Sequence, residues 1–251
     1  MLNKRTKIIT GALCVILGAA ILAVPVLSRN RYDAMDTFAP AGHDHTVIID
    51  AGHGGADGGA VSLGGVYESD INLAISLKLE QIMAFMGICT VMTRESADID
   101  YPEDAVTIRQ KKVFDQNARV ELINSISDGV LISIHQNKYT TSSPSGAQVL
   151  FAGTDRSDAL AVSIESALGE AIGIDSVRGA KQIPSDIYLM KNISCPAVLV
   201  ECGFLSNPMD EAQLLTEGYR LKLAMGIAGG YIRAFEASED DMQDIGGTNE
   251  S

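Results

Sequence analysis

Apolar residues along this chain fall into short β-branched runs separated by longer stretches with helical spacing. Val47-Ile48-Ile49, Val130-Leu131-Ile132-Ser133-Ile134 and Ala197-Val198-Leu199-Val200 read as buried strands of a sheet covered on both faces. Strands are predicted at 46–50, 89–93, 130–134, 147–151 and 197–202. Between them, Asp70 to Met86 carries apolar residues at 71, 74, 75, 79, 82, 83 and 86, a helical stripe with Ser69 as its candidate N-cap. Ile108–Ile126, Asp155–Ile172 and Tyr219–Phe235 have the same character. Strands alternating with helices predict an α/β fold: three layers, with a mostly parallel twisted sheet flanked by helices, over residues 46–235.

The two ends differ from this domain. Ile8 to Leu27 is an uncharged run of 20 residues behind Lys4, Arg5 and Lys7. That length spans a bilayer core and exceeds a typical signal-peptide apolar region, so residues 1–28 are expected to form an N-terminal transmembrane helix acting as a signal anchor. Val26 and Ser28 are small enough to permit cleavage and secretion as the alternative. Residues 29–45 form a linker, and the acidic stretch 236–251, with no Lys or Arg, is expected to be disordered.

Charge narrows the function. The net charge is −13, but residues 1–31 hold five Lys or Arg and no acid, leaving −18 on the remainder. No nucleic-acid footprint is compatible with that balance. Four cysteines are too few for a disulfide framework at this length, and Cys195 and Cys202 stand at opposite ends of one predicted strand, too far apart to pair.

Candidate chemistry sits where the strands end. His53 follows the first strand inside Gly52-His53-Gly54-Gly55, Glu68 closes the glycine-rich loop behind it, His135 ends the third strand and Glu201 ends the last. Open α/β sheets place their sites at the carboxyl ends of strands. Each residue alone has a bland reading: a structural turn, a helix-end acid, a hydrogen-bonded histidine. Together, His53, Glu68 and His135 make a three-ligand zinc set with a fourth position open, and Glu201 is left over as a base whose partial burial raises its pKa.

The segments Ile48–Gly55, Glu68–Ala74, Val91–Arg94, Ile132–His135 and Val200–Asn207 resemble the zinc-dependent N-acetylmuramoyl-L-alanine amidases, in order and spacing across residues 46–235. The resemblance implies zinc bound by His53, Glu68 and His135, with Glu201 as catalytic base. It implies cleavage of the amide between the lactyl group of N-acetylmuramic acid and L-alanine in peptidoglycan. Ile187–Asn192 and the single-anchor layout are similar to the germination-specific amidases of spore formers. That subgroup takes part in muramic-δ-lactam formation in spore cortex, which implies a lipoprotein activator and a functional link to a polysaccharide deacetylase. It also implies a domain anchored to the membrane and acting outside it, between forespore and mother cell. Ala51 stands where the family usually has Pro, and Gln136-Asn137-Lys138 where it has a small residue, Asn and Ala.

Further candidates are Asp50, steering His53 from behind, and Asn137, Asn207 and Arg94 as substrate contacts. Arg94 and Arg119 have salt bridges as their alternative, and both asparagines have turn shaping. A zinc carboxypeptidase or aminopeptidase on a related fold, or an inactive wall-binding relative, are the competing functions.

Overall fold

The computed structural model describes residues 45–245; the expected anchor, most of the linker and residues 246–251 lie outside them. Six strands form one sheet: β1 (Thr46–Ala51), β2 (Thr90–Met92), β3 (Gly129–Asn137), β4 (Gln148–Phe151), β5 (Lys181–Gln182) and β6 (Ala197–Phe204). Their order is β2-β1-β3-β6-β4-β5. The first four in that order are mutually parallel, whereas β4 runs antiparallel to β6 and parallel to β5. The central strands are the continuous apolar runs, as burial on both faces requires.

Helices cover the two faces unequally. α1 (Glu68–Phe85), α3 (Ser157–Ile172) and α6 (Glu217–Ile245) pack on one face, over Val47, Ile49, Val130, Ile132, Ile134, Val198 and Val200. α1 contributes Ile71, Ile75, Leu79 and Met83, one residue per turn. α3 and α6 approach closely because Gly230 faces Ile164, where a Cβ would stand 2.3 Å from the Ile164 Cα. On the other face, α2 (Ile108–Asn124) and the single turn α4 (Tyr188–Lys191) cover a smaller cluster around Ile48, Leu131, Ala197 and Leu199. α5 (Pro208–Leu214) follows β6.

Two local expectations change. α1 starts at Glu68 behind an extended Tyr67 that makes no side-chain cap, so Ser69 lies inside the first turn; Glu68 and Asp70 meet the positive end of the helix there. α6 continues through residues 236–245, which were expected to be disordered. β5, α4 and α5 are too short to leave a periodic signal in the sequence.

Candidate metal centre

Strand alternation builds the site. Asp50, Ser133, His135, Leu199 and Glu201 all project to the thinly covered face, because Asp50 pairs with Ser133, Ser133 with Leu199 and His135 with Glu201 across neighbouring strands. Towards the carboxyl ends of β1, β3 and β6 this face passes from apolar Ile48, Leu131 and Ala197 to polar groups. The polar groups therefore gather at the rim of the sheet.

His53, from the loop after β1, and Glu68, at the start of α1, complete the cluster. One ligand atom from each of His53, Glu68 and His135 lies within 4.8 Å of the others. His53 Nε2 is 3.4 Å from Glu68 Oε2, and His135 Nδ1 is 3.0 Å from Glu68 Oε1. His53 holds the left-handed conformation, φ 60°, which turns its ring back over the strand end; this backbone state is costly for a non-glycine residue. Gly59, at φ +68°, runs so close that a Cβ there would stand 2.7 Å from both Glu68 Oε2 and His53 Cδ2. Gly52 likewise leaves room only for the His135 ring, with a Cβ 2.2 Å from Nε2.

Backbone contacts secure the loop itself. Val61 and Tyr67 form an antiparallel bridge, Lys138 Nζ donates to the Val61 carbonyl (2.8 Å), and the Gly64 N–H donates to Glu211 Oε1 (2.6 Å). Residues from β3's exit and α5 thus pin the segment between His53 and Glu68.

The donor set fits a divalent cation. Glu68 is buried, which would raise its pKa, but His135 and His53 beside it hold the carboxyl far below the usual range. Its Oε2 also accepts from Ala60 N–H (2.9 Å) and its Oε1 from Gln136 N–H (3.1 Å). Burial works to lower His53, but hydrogen bonding to Asp57 and Glu68 outweighs it and lifts the ring to about 9. Two imidazoles around a carboxylate that cannot protonate at neutral pH is a ligand set suited to zinc or another borderline metal.

Glu201 lies in the same pocket and behaves differently. Burial pushes its carboxyl up to about 7, the adjacent imidazoles only partly offsetting it. Its Oε2 is buried with no hydrogen-bond partner among the described residues. A carboxylate poised near neutrality and aimed into a cavity is equipped to take and return a proton.

The supporting residues depart from expectation. Asp50 does not touch His53: it accepts from Ser133 Oγ (2.6 Å), Thr93 Oγ1 (2.8 Å) and Arg119 Nη1 (2.5 Å). Burial would raise it, but the Arg119 guanidinium prevails and holds it at about 2. The carboxylate that orients His53 is Asp57, 2.9 Å from Nδ1 and itself 3.0 Å from Lys112 Nζ. Arg94, expected as a substrate contact, is occupied within the chain. It is 7% exposed and donates to the carbonyls of Ala51, His53, Ser96, Gly52 and Ser69, so its fork is spent on organising the loop. Arg119 bridges Asp50 and Asp115 and also caps the carbonyls of Ala51 and His53. Asn207 is a helix cap, its Oδ1 accepting from Met209 and Asp210 N–H at the start of α5 and its amide donating to Ser142. Asn137 ends β3 half-buried, with Oδ1 accepting from Lys138 N–H (2.8 Å).

A cavity of about 420 Å³ opens over the cluster between α2 and α4, lined by His53, His135 and Glu201 and walled by Lys112, Tyr188 and Met190. Tyr188 donates to Asn117 Oδ1 across the two walls (2.6 Å). The cavity can admit an extended polar chain alongside the metal-binding group.

Comparison with known proteins identifies the family. The family profile described as N-acetylmuramoyl-L-alanine amidase matches residues 47–233. The germination-specific N-acetylmuramoyl-L-alanine amidase of Bacillus subtilis is 35% identical over 195 residues, 77% of this chain and 81% of that protein. The solved structure of the CwlD amidase from Clostridioides difficile, in complex with the GerS lipoprotein, is similar at TM-score 0.74 and 36% identity, over 77% of this chain and 100% of that one. An N-acetylmuramoyl-L-alanine amidase from Clostridium difficile 630 has a TM-score of 0.68 and 29% identity, over 78% and 99%. The profile spans nearly all of the domain that carries the His53, Glu68 and His135 cluster, and the chain belongs to the N-acetylmuramoyl-L-alanine amidase family, enzymes that act on peptidoglycan.

Proposed function

We propose that this amidase holds zinc on His53, Glu68 and His135, uses Glu201 as its catalytic base, and serves the spore cortex, where removal of stem peptide precedes muramic-δ-lactam formation. The observation that carries the site assignment is the convergence of three ligand atoms within 4.8 Å beside a buried carboxylate without a partner among the described residues.

Zinc, when bound, supplies a Lewis acid next to the scissile amide. The chain's own residues do the rest. Asp57 fixes the tautomer of His53 through Nδ1, leaving Nε2 to ligate. Glu201, as carboxylate, takes a proton from the attacking water and delivers it to the nitrogen of L-alanine as the carbon–nitrogen bond breaks. An amine is a poor leaving group, and that delivery is why a base near neutral pKa serves better than an ordinary carboxylate. The α2–α4 cavity holds the muropeptide, and Asn137, at the carboxyl end of β3, is the candidate polar contact to it.

The spore role rests on similarity to the Bacillus subtilis protein, whose name is germination-specific. A lipoprotein partner is proposed from the CwlD amidase, whose structure is a complex with one. A polysaccharide deacetylase is the expected companion activity. Export with a retained anchor at residues 1–28 completes the reading, supported by the uncharged Ile8–Leu27 run behind three basic residues. No described helix is long and apolar enough to cross a membrane. The site of action is then the space between forespore and mother-cell membranes.

The test is digestion of purified muropeptides by the full chain with zinc. New L-alanine amino termini are expected, and His135→Ala is expected to lose metal and activity together. Release of a terminal amino acid instead would favour a peptidase. A zinc-loaded protein leaving muropeptides intact would favour a wall-binding relative.

A further inference from the structure

We propose that Gln136 and Asn72 are positioning residues, forming a one-way amide relay that fixes the Glu68 carboxylate and so sets the affinity of the metal centre. The inference rests on the metal reading above.

The relay starts at an irregularity in the sheet. The β3–β6 register shifts between His135 and Asn137, and the Gln136 N–H donates to Glu68 Oε1 (3.1 Å). Alternation sends the His135 side chain to the site and the Gln136 side chain to the opposite face, beneath the first turns of α1. There Gln136 Nε2 donates to Asn72 Oδ1 (3.1 Å). Asn72 Nδ2 in turn donates to the Gly52 carbonyl (3.0 Å) and to Glu68 Oε1 (3.4 Å). Asn72 is fully buried, Gln136 is 4% exposed and Glu68 3%.

The network has a single polarity. Both Asn72 amide hydrogens go to groups that can only accept, a peptide carbonyl and a carboxylate. Its oxygen must therefore face Gln136, and Gln136 must present nitrogen. Reversing the Asn72 amide would set oxygen against two oxygens in a buried site, where each unmet group costs its full desolvation. The chain of donors thus reaches from β3 through α1 to the metal-facing carboxylate. It also ties Gly52, the residue before His53, to the same point. Two of the three ligands are then positioned by one buried amide pair.

A purely structural pair would lower thermal stability and leave metal affinity alone; a positioning pair changes affinity in protein that is still folded. Gln136→Glu keeps the size but puts an acceptor against the Asn72 oxygen, and Gln136→Met keeps the size with no polar atom. Zinc affinity of the full chain, measured by chelator competition well below the unfolding midpoint of each apo variant, decides the matter. Gln136→Glu is expected to bind zinc about 10–100-fold more weakly than the unsubstituted protein, and Gln136→Met about tenfold more weakly. Wild-type affinity in folded Gln136→Met and Gln136→Glu would overturn the relay while leaving the zinc assignment standing. If Gln136→Glu does not fold, Gln136→Met alone decides. Failure of the unsubstituted chain to bind zinc would instead overturn the metal reading itself, and the relay with it.

Discussion

His135 and Glu201 are register partners on adjacent parallel strands, so the imidazole and the carboxylate leave the same face of the sheet one strand apart. That pairing places a ligand candidate and a base candidate at a spacing set by the sheet, without help from any loop. Rigid strands hold such geometry more closely than loops do.

Glu201→Gln should therefore separate chemistry from binding. The variant is expected to retain zinc and lose hydrolysis by at least about 100-fold, the usual scale for a general base. Zinc stoichiometry and muropeptide turnover measured on one preparation check it. In the unsubstituted enzyme, kcat/KM should rise with pH along a one-proton limb. Burial puts the Glu201 midpoint at about 7 without a metal. A bound cation favours the carboxylate, so the limb should fall at or below that value.

Gly59→Ala tests how tightly the loop is fitted. The left-handed backbone and the 2.7 Å approach to Glu68 Oε2 and His53 Cδ2 leave a methyl group nowhere to go. Loss of zinc binding is expected, with the bulk of the fold retained by circular dichroism. An alanine variant with unaltered zinc affinity would show that the loop yields.

Asp57→Asn keeps the shape of the group that holds His53 Nδ1 but removes its charge, and it also releases Lys112. Zinc affinity should fall by about tenfold or more. Isothermal titration at fixed pH, beside the unsubstituted protein, reads this directly.

The Asp50–Arg119 pair makes a prediction about acid stability. Folding depresses Asp50 from 3.8 to about 2, so its contribution is fully present above the unfolded value and lost as pH falls through about 2. The shift corresponds to about 2 kcal/mol, with both partners buried. Asp50→Asn should thus lower stability at pH 7 and flatten the acid limb between about pH 4 and 2. Denaturant unfolding across that range measures it, and an unchanged acid limb would remove Asp50 from the account.

Much of this was legible in the sequence because strand ends are easy to see. The runs before Asp50, His135 and Glu201 are long, β-branched and bounded, and alternation alone assigns their faces. Supporting roles were not legible. Arg94 and Arg119 look like substrate cations until five carbonyls around Arg94 and two carboxylates around Arg119 are seen to consume them. Asp57 carried one available signal: it lies four residues after His53 in a tight glycine loop, close enough to reach back. Asp50 was the more conspicuous acid, yet its place in β1 directs it to Ser133 and Arg119. Asn207 followed by Pro208 was readable as a helix start, since an asparagine before proline is a common cap. The Gln136–Asn72 contact joins residues far apart in sequence, and no local pattern announces it.

The pins on the glycine-rich loop, from Lys138 to Val61 and from Glu211 to Gly64, have a kinetic consequence. Chain entropy of that loop is surrendered when the domain folds and not when the ion arrives. Capture of a cation should then resemble docking into a ready seat, with little change in amide exchange across residues 56–67.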